Sequence, residues 1–274
     1  EAIKSFLSRQ TDKVRLPYGR RSQFFPRQCV FCATTNNEEF LKDRTGGRRF
    51  LILVCNATQD TTKERLNELI ATDCDAIVAG LWEYFKAYGY DFKKKTQFIP
   101  YPIEISNEAQ PQPIGNKIKV MIGINRSRHE YKGTDILLEG AQQAVAHHND
   151  VAELRVVENV PFTQYQQLVA DSDILLDQAY SYTPAMNALM AMSKGVVVIG
   201  GAEDVHYELL CPETPHGIIN INPNAESVAQ ALDSLLCNKK MLQQLKRDAI
   251  TYIQLNHEHL MVAQQYYNLY KKLI

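Results

Sequence analysis

Ile118-Lys119-Val120-Met121-Ile122-Gly123-Ile124-Asn125-Arg126-Ser127-Arg128-His129-Glu130-Tyr131-Lys132-Gly133-Thr134-Asp135 runs from an apolar heptad through a basic loop to a glycine where a helical period begins. Residues 118–124 read as a buried parallel strand and 133–148 as a helix. A glycine at such a turn lets backbone N–H groups approach an anion, and the helix start adds the positive end of its dipole. Arg126, Arg128 and Lys132 bring full charges to the same place. Gly123, these three basic residues and Gly133 are therefore candidates for holding a diphosphate. A solvated basic loop accounts for the same residues without a ligand. No GxGxxG occurs in the chain, so the usual sign of hydride-transfer chemistry is missing.

Outward from this stretch the rhythm is strand and helix in alternation. Strands are expected at 154–157, 174–176, 196–199 and 217–221, and helices at 161–170, 184–193, 206–210, 225–236, 239–255 and 258–273. Apolar strands joined by helices predict an α/β fold, a Rossmann-like doubly wound parallel sheet whose ligand lies beyond the carboxyl ends of the strands. After strand 174–176 comes Asp177-Gln178-Ala179-Tyr180-Ser181-Tyr182-Thr183-Pro184. Thr183 followed by proline reads as an N-cap with proline at the first helical position, a second place for an anion or hydroxyl. Met186, Met190 and Met192 are expected to fill the core beneath it. Glu203 follows Gly200-Gly201 and can accept hydrogen bonds from sugar hydroxyls, or stand as a solvated residue after a glycine turn.

Before the sheet, 107–116 carries two prolines and few apolar residues and reads as a linker. Residues 74–79 and 98–101 read as short strands, and 81–88 as a helix closed by Gly89. Further upstream, 3–9 and 62–71 suit helices, 29–34 and 50–55 suit strands, and Pro17–Arg21 and Thr45–Gly47 suit turns. Glu1–Phe6 reads as the middle of a helix, so the reading expects chain upstream of it.

The 274 residues are 45% hydrophobic and 22% charged, which excludes a wholly disordered chain and leaves room for one large or two ordinary domains. No apolar run approaches the roughly 20 residues of a membrane-spanning helix, and no secretory leader is legible. Six cysteines without a dense framework suit a reducing compartment. The cytoplasm is expected, free or peripheral to the inner face of the membrane. The net charge of −1 conceals a contrast: residues 1–58 hold 11 Lys and Arg against 5 Asp and Glu, and the remainder 19 against 26. Phosphates or nucleic acid suit the basic part, and a nucleic-acid partner would engage residues 1–58 alone. A solvated basic face is the alternative.

From about Cys74 to the end, the chain resembles the donor half of GT-B glycosyltransferases of the family 4 type. The resemblance is carried by Cys74-Asp75-Ala76-Ile77-Val78-Ala79-Gly80, Phe98-Ile99-Pro100-Tyr101-Pro102-Ile103, the Gly123, Arg128 and Lys132-Gly133 loop, Ser172-Asp173-Ile174-Leu175-Leu176-Asp177, and Ala191-Met192-Ser193-Lys194-Gly195-Val196-Val197-Val198-Ile199. It implies metal-independent transfer of a sugar from a nucleotide donor, with no cofactor and with Arg and Lys on the diphosphate. Residues 59–106 correspond to the end of the acceptor domain and the crossover, and 107–274 to the nucleotide-sugar domain, so most of an acceptor domain is missing. Many of these enzymes carry two glutamates eight residues apart around the helix before the Ala-Met pair, contacting donor sugar and ribose. Tyr182 and Met190 stand there in this chain, with Thr183 and Asn187 as the nearest polar side chains. Donor and acceptor identity stay open.

Residues 1–58 resemble the carboxyl end of the ATPase core of virulence-associated protein E, a P-loop family of phage and mobile elements. Leu16-Pro17-Tyr18-Gly19-Arg20-Arg21, Pro26-Arg27-Gln28-Cys29-Val30-Phe31, Thr34-Thr35-Asn36 and Phe40-Leu41-Lys42-Asp43-Arg44-Thr45-Gly46-Gly47-Arg48-Arg49-Phe50 carry it. The resemblance implies that Asn36 is a polar sensor for water at a γ-phosphate and that Arg48 or Arg49 is an arginine finger. No GxxxxGK[ST] accompanies them, so no phosphate cradle or magnesium ligand is expected. The leading expectation is a truncated glycosyltransferase. An ATPase-related protein of mobile elements acting on nucleic acid, and a non-enzymatic nucleotide-binding remnant, are the alternatives.

Overall fold

Alternate residues of the central strands point to opposite faces, and both faces are apolar, so the sheet needs cover on each side. The computed structural model describes residues 11–14, 23–26, 75–106, 108–126 and 129–273, and the chain divides into two compact units, 1–65 and 66–274. In the first unit β1 (Thr11–Val14) pairs antiparallel with β2 (Gln23–Pro26), Thr11 opposite Pro26 and Val14 opposite Gln23. The sequence reading assigned neither strand. It placed only the turn between them, and that turn, like the expected elements at 3–9, 29–34, 50–55 and 62–71, lies outside the described residues.

The second unit opens with a β-α-β pair. β3 (Ile77–Ala79), α1 (Trp82–Phe92) and β4 (Thr96–Phe98) form a two-stranded parallel sheet. Gly89 lies inside α1 rather than closing it. Its place is open, with nothing within 4 Å of where a Cβ would stand, and a glycine with no left-handed turn to make does not stop a helix. The second strand is also set earlier than 98–101, because the chain from Ile99 onward turns away to bury Ile99, Ile103 and Ile105.

Five strands make the main sheet: β5 (Ile118–Ile124), β6 (Ala152–Glu158), β7 (Ile174–Leu176), β8 (Val197–Gly200) and β9 (Ile218–Asn220). All pair in parallel in the order β6-β5-β7-β8-β9. Between them run α2 (His129–Lys132), α3 (Thr134–His147), α4 (Phe162–Ala170), α5 (Met186–Met192) and α6 (Asp204–Tyr207). After them come α7 (Ala225–Leu236), α8 (Lys239–Asn256) and α9 (His259–Leu273). On one face Val120, Ile122, Ile174, Leu176, Val197 and Ile199 meet α3 and α7 through Leu137, Ala141, Val228 and Leu232. On the other, Met121, Leu175 and Val198 meet α4, α5 and α8 through Val169, Leu189, Met192 and Ile253. This is the doubly wound arrangement expected from the alternation. Its order reverses at β5, so the crevice between the ends of β5 and β7 is the place for a ligand.

Two expectations on α5 are corrected. The helix begins at Met186 with Ala185 at the cap and no side-chain cap, so Thr183 is not its N-cap and Pro184 does not start it. Thr183 is drawn instead to a carboxylate of α1. Of the three methionines, Met192 is fully buried, Met190 packs at the edge of the core and Met186 is half exposed, because only one stripe of a short helix faces the sheet.

The segment 108–116 has no regular structure but lies against the domain: Ala109 and Ile114 pack on the two cores, and Pro111 fills the space beside Gly195. The chain then crosses back at its other end. Ile103 N–H donates to the His257 carbonyl at 2.6 Å, and His259 N–H donates to the Ile103 carbonyl at 3.2 Å. That sets α9 over the β3–β4 pair, where Val262 and Leu269 bury Ile99. Among the described residues no helix is long and apolar enough to cross a membrane.

Candidate functional site

Gly133 takes φ +63°, a conformation that costs an ordinary L-residue about 1–2 kcal/mol. The turn it makes stops α2 and starts α3, leaving the Lys132 carbonyl to accept a hydrogen bond from Ala179 N–H at 2.8 Å. A Cβ at Gly133 would press on Ala179 and Tyr180. The loop after β7 is thus docked on the turn after β5, which closes the crevice where the strand order reverses.

Asp177 lies at the end of β7 with its side chain 3% exposed. Its Oδ1 accepts from Asn187 Nδ2 at 2.7 Å and from Lys132 Nζ at 3.3 Å, while Oδ2 is buried without a partner. Lys132, itself 22% exposed, keeps further N–H donors beyond the one it spends on Asp177. Tyr165 of α4 stands beside this group. Burial pushes its phenol up, the Asp177 charge adds to this, and its contact with the Asn187 amide opposes it.

The other expected residues divide. Gly123 is at the crevice, but the space where its Cβ would stand is taken by the Tyr165 ring, with the phenol oxygen 2.7 Å away. Its missing side chain therefore makes room for Tyr165. Arg126 turns to β6 and grips Glu158 with two bonds of 2.9 and 3.0 Å, its side chain 75% exposed. With His129, Thr134 and Asp135 this pair lines a shallow cleft of about 300 Å³. Arg128 lies outside the described residues, as do Asn36, Arg48 and Arg49.

Tyr182 is half exposed and held by its backbone. Its N–H donates to Glu83 Oε1 at 3.0 Å and its carbonyl accepts from Glu203 N–H at 3.0 Å. The Thr183 hydroxyl donates to Glu83 Oε2 at 2.7 Å. Glu203 thus enters through its backbone, with an exposed side chain. The structure brings Lys132, Gly133 and Asn187 together around Asp177, and Tyr182, Thr183 and Glu203 around Glu83. Sequence reasoning missed Glu83, Asp177 and Tyr165. The position of Asp177 directly after a strand was a signal for it. Nothing local marked the other two.

Behind the loop lies a buried ring cluster. His206 Nδ1 contacts the Glu203 carbonyl at 2.8 Å and Nε2 the Tyr252 hydroxyl at 3.1 Å. Tyr252 stacks on His257, whose Nδ1 donates to the Tyr101 carbonyl at 2.8 Å. Burial pushes the His206 imidazole down and that of His257 down to about 4. Both are structural neutral rings at pH 7.

The fold is shared with GT-B glycosyltransferases. Anabaena HepE in complex with UDP and glucose superposes with a TM-score of 0.60 at 14% identity, covering 78% of this chain and 67% of that one. A mutant of S. aureus TarM in complex with fondaparinux, alpha-GlcNAc-glycerol and UDP gives 0.60 at 15%, covering 76% and 46%. WaaG, a glycosyltransferase involved in lipopolysaccharide biosynthesis, gives 0.56 at 12%, covering 76% and 67%. The chain therefore spans about two thirds of HepE and under half of TarM. A search of curated proteins by sequence finds no match. The virulence-associated protein E-like domain family matches residues 1–107, a stretch that runs past the unit boundary and across β3, α1 and β4. Both resemblances read from the sequence are met: the family match at the amino end, and the GT-B fold in the solved structures.

Proposed function

We propose that residues 107–274 bind a nucleotide sugar through its diphosphate and that the chain acts as a glycosyltransferase. The observation that carries this reading is the Lys132 ammonium at the reversal point of the sheet, set by the Gly133 turn and the buried Asp177. The ligands of HepE and TarM support a uridine donor. Asp177 holds one N–H of Lys132 and orients the rest, and phosphate oxygens complete the set as charge-assisted bonds. Arg128 joins Lys132 on the diphosphate, and no divalent ion takes part.

Calorimetric titration of the full chain with UDP, GDP, ATP and the free nucleosides tests this. A diphosphate is expected to bind and its nucleoside to bind far less, with chelation of divalent ions making no difference. Lys132→Ala is expected to weaken the nucleoside diphosphate by roughly ten- to a hundredfold, from the loss of one charge-assisted contact. Equal binding by both proteins refutes the site. Binding without sugar turnover selects a non-enzymatic remnant.

The family match at residues 1–107 supports a second reading, an ATPase-related protein acting on nucleic acid. Hydrolysis of ATP by the chain is the outcome that selects it.

A further inference from the structure

The loop from Asp177 to Thr183 is fixed mainly by its neighbours in the five-stranded domain. Ala179 N–H reaches the Lys132 carbonyl, Gly201 N–H reaches the Gln178 carbonyl at 2.9 Å, and Glu203 N–H reaches the Tyr182 carbonyl. One side chain from outside that domain completes the set. Glu83, in the first turn of α1, accepts from Tyr182 N–H and from the Thr183 hydroxyl with its two carboxylate oxygens, at 3.0 and 2.7 Å. The contact is reinforced on both sides. Trp82 packs on the Tyr182 ring at 5.7 Å between centroids, and Lys86 pairs with Glu208 at 3.5 Å.

We propose that Glu83 is a positioning residue for the donor site, holding the 177–183 loop against the Lys132–Gly133 turn from the far side of the crevice. The proposal rests on the nucleotide-sugar reading given above. Bonds to a carboxylate are stronger than those between neutral groups, and two of them on adjacent residues fix the loop's direction as well as its place. Without Glu83 the Tyr182 N–H and Thr183 hydroxyl have no partner on α1. The loop is then held only by its bonds within the five-stranded domain and loosens at its Tyr182–Thr183 end, and with it the bond from Ala179 N–H to the Lys132 carbonyl. Lys132 follows, because its own main chain carries that bond. Glu83 thus acts on the ligand through the loop and does not touch it.

The test is titration of the full chain with UDP and GDP for wild type, Glu83→Ala, Glu83→Gln, Thr183→Val and the Glu83→Ala/Thr183→Val pair, with circular dichroism melts alongside. Glu83→Ala is expected to weaken the diphosphate about tenfold, the scale of one charged hydrogen bond. Glu83→Gln is expected to return affinity to within about threefold, since its amide oxygen still accepts from Tyr182 N–H and its NH2 donates to Thr183 Oγ. Thr183→Val is expected to weaken binding in the same direction, and the double variant to be no worse than Glu83→Ala, as members of one unit are not additive. Wild-type affinity in Glu83→Ala, or Glu83→Gln as weak as Glu83→Ala with both folded, overturns the proposal while leaving the donor site standing. Should Glu83→Ala fail to fold, Thr183→Val decides, and wild-type affinity there overturns it. A wild-type chain that binds neither UDP nor GDP refutes the donor site and the role of Glu83 together.

Discussion

Asp177 shows how much a single side chain organises at the crevice. A buried carboxylate is tolerated only with partners, and here one oxygen receives an amide from Asn187 and an ammonium from Lys132 while the other has none. The contact ties Lys132, more than three quarters of whose side chain is covered, to the end of β7. Gly201 shows the same economy in the backbone. A Cβ there would run into the Ser181 carbonyl, and Ser181 cannot retreat because Tyr182 is bonded to both Glu83 and Glu203. Gly201→Ala is therefore expected to destabilise the protein by about 1–3 kcal/mol, the usual range for forced overpacking. Urea denaturation reads the change, and an unaltered midpoint would show that the loop yields.

Elements were legible in proportion to how local their cause is. β5, β7 and α7 match their expected limits, because an unbroken apolar run or a clean helical stripe bounded by Asn224 needs no distant partner. The Asn224 side chain accepts from Ser227 N–H, a cap written in the sequence. The start of α5 was misread because Thr183 also looks like a cap. What diverts it is Glu83, one hundred positions earlier, which no local pattern reveals. Lys132, Gly133 and Asn187 were legible for the same reason that the strands were: they follow strand ends. Asp173 and Lys246 mark the opposite case, an ion pair of 2.6 Å between the start of β7 and the middle of α8, with the two side chains 6% and 1% exposed. Asp173 also accepts from Lys119 N–H, so it links α8 to two strands. Lys246→Ala leaves that carboxylate uncompensated and is expected to cost about 3–5 kcal/mol, measured by chemical denaturation. A loss under about 1 kcal/mol would show that water enters and replaces the lysine.

At the scale of the molecule, stability should carry a pH signature from the rings behind the loop. His257 is neutral in the fold with its pKa pushed down to about 4, against an ordinary value of 6.5, and His206 is displaced in the same direction. Above pH 6.5 neither state takes up a proton there, so nothing is lost. As pH falls from 6.5 toward 4 the unfolded chain is protonated first, and stability drops by up to about 3 kcal/mol from His257 alone. Denaturation midpoints measured from pH 7 to pH 4 check this. His257→Phe, less stable at pH 7 for want of its bond to Tyr101, is expected to lose less on acidification. A wild-type midpoint that stays flat across the range would place the ring in water instead. The return of α9 over Ile99 has a consequence for biosynthesis. β3, α1 and β4 leave the ribosome about 160 residues ahead of the helix that covers them, a wait of roughly ten to thirty seconds at ordinary elongation rates. Through that interval Ile99 and Val78 have no lid, so this strand pair is the part of the nascent chain where a chaperone would bind, and release would coincide with the arrival of Val262 and Leu269.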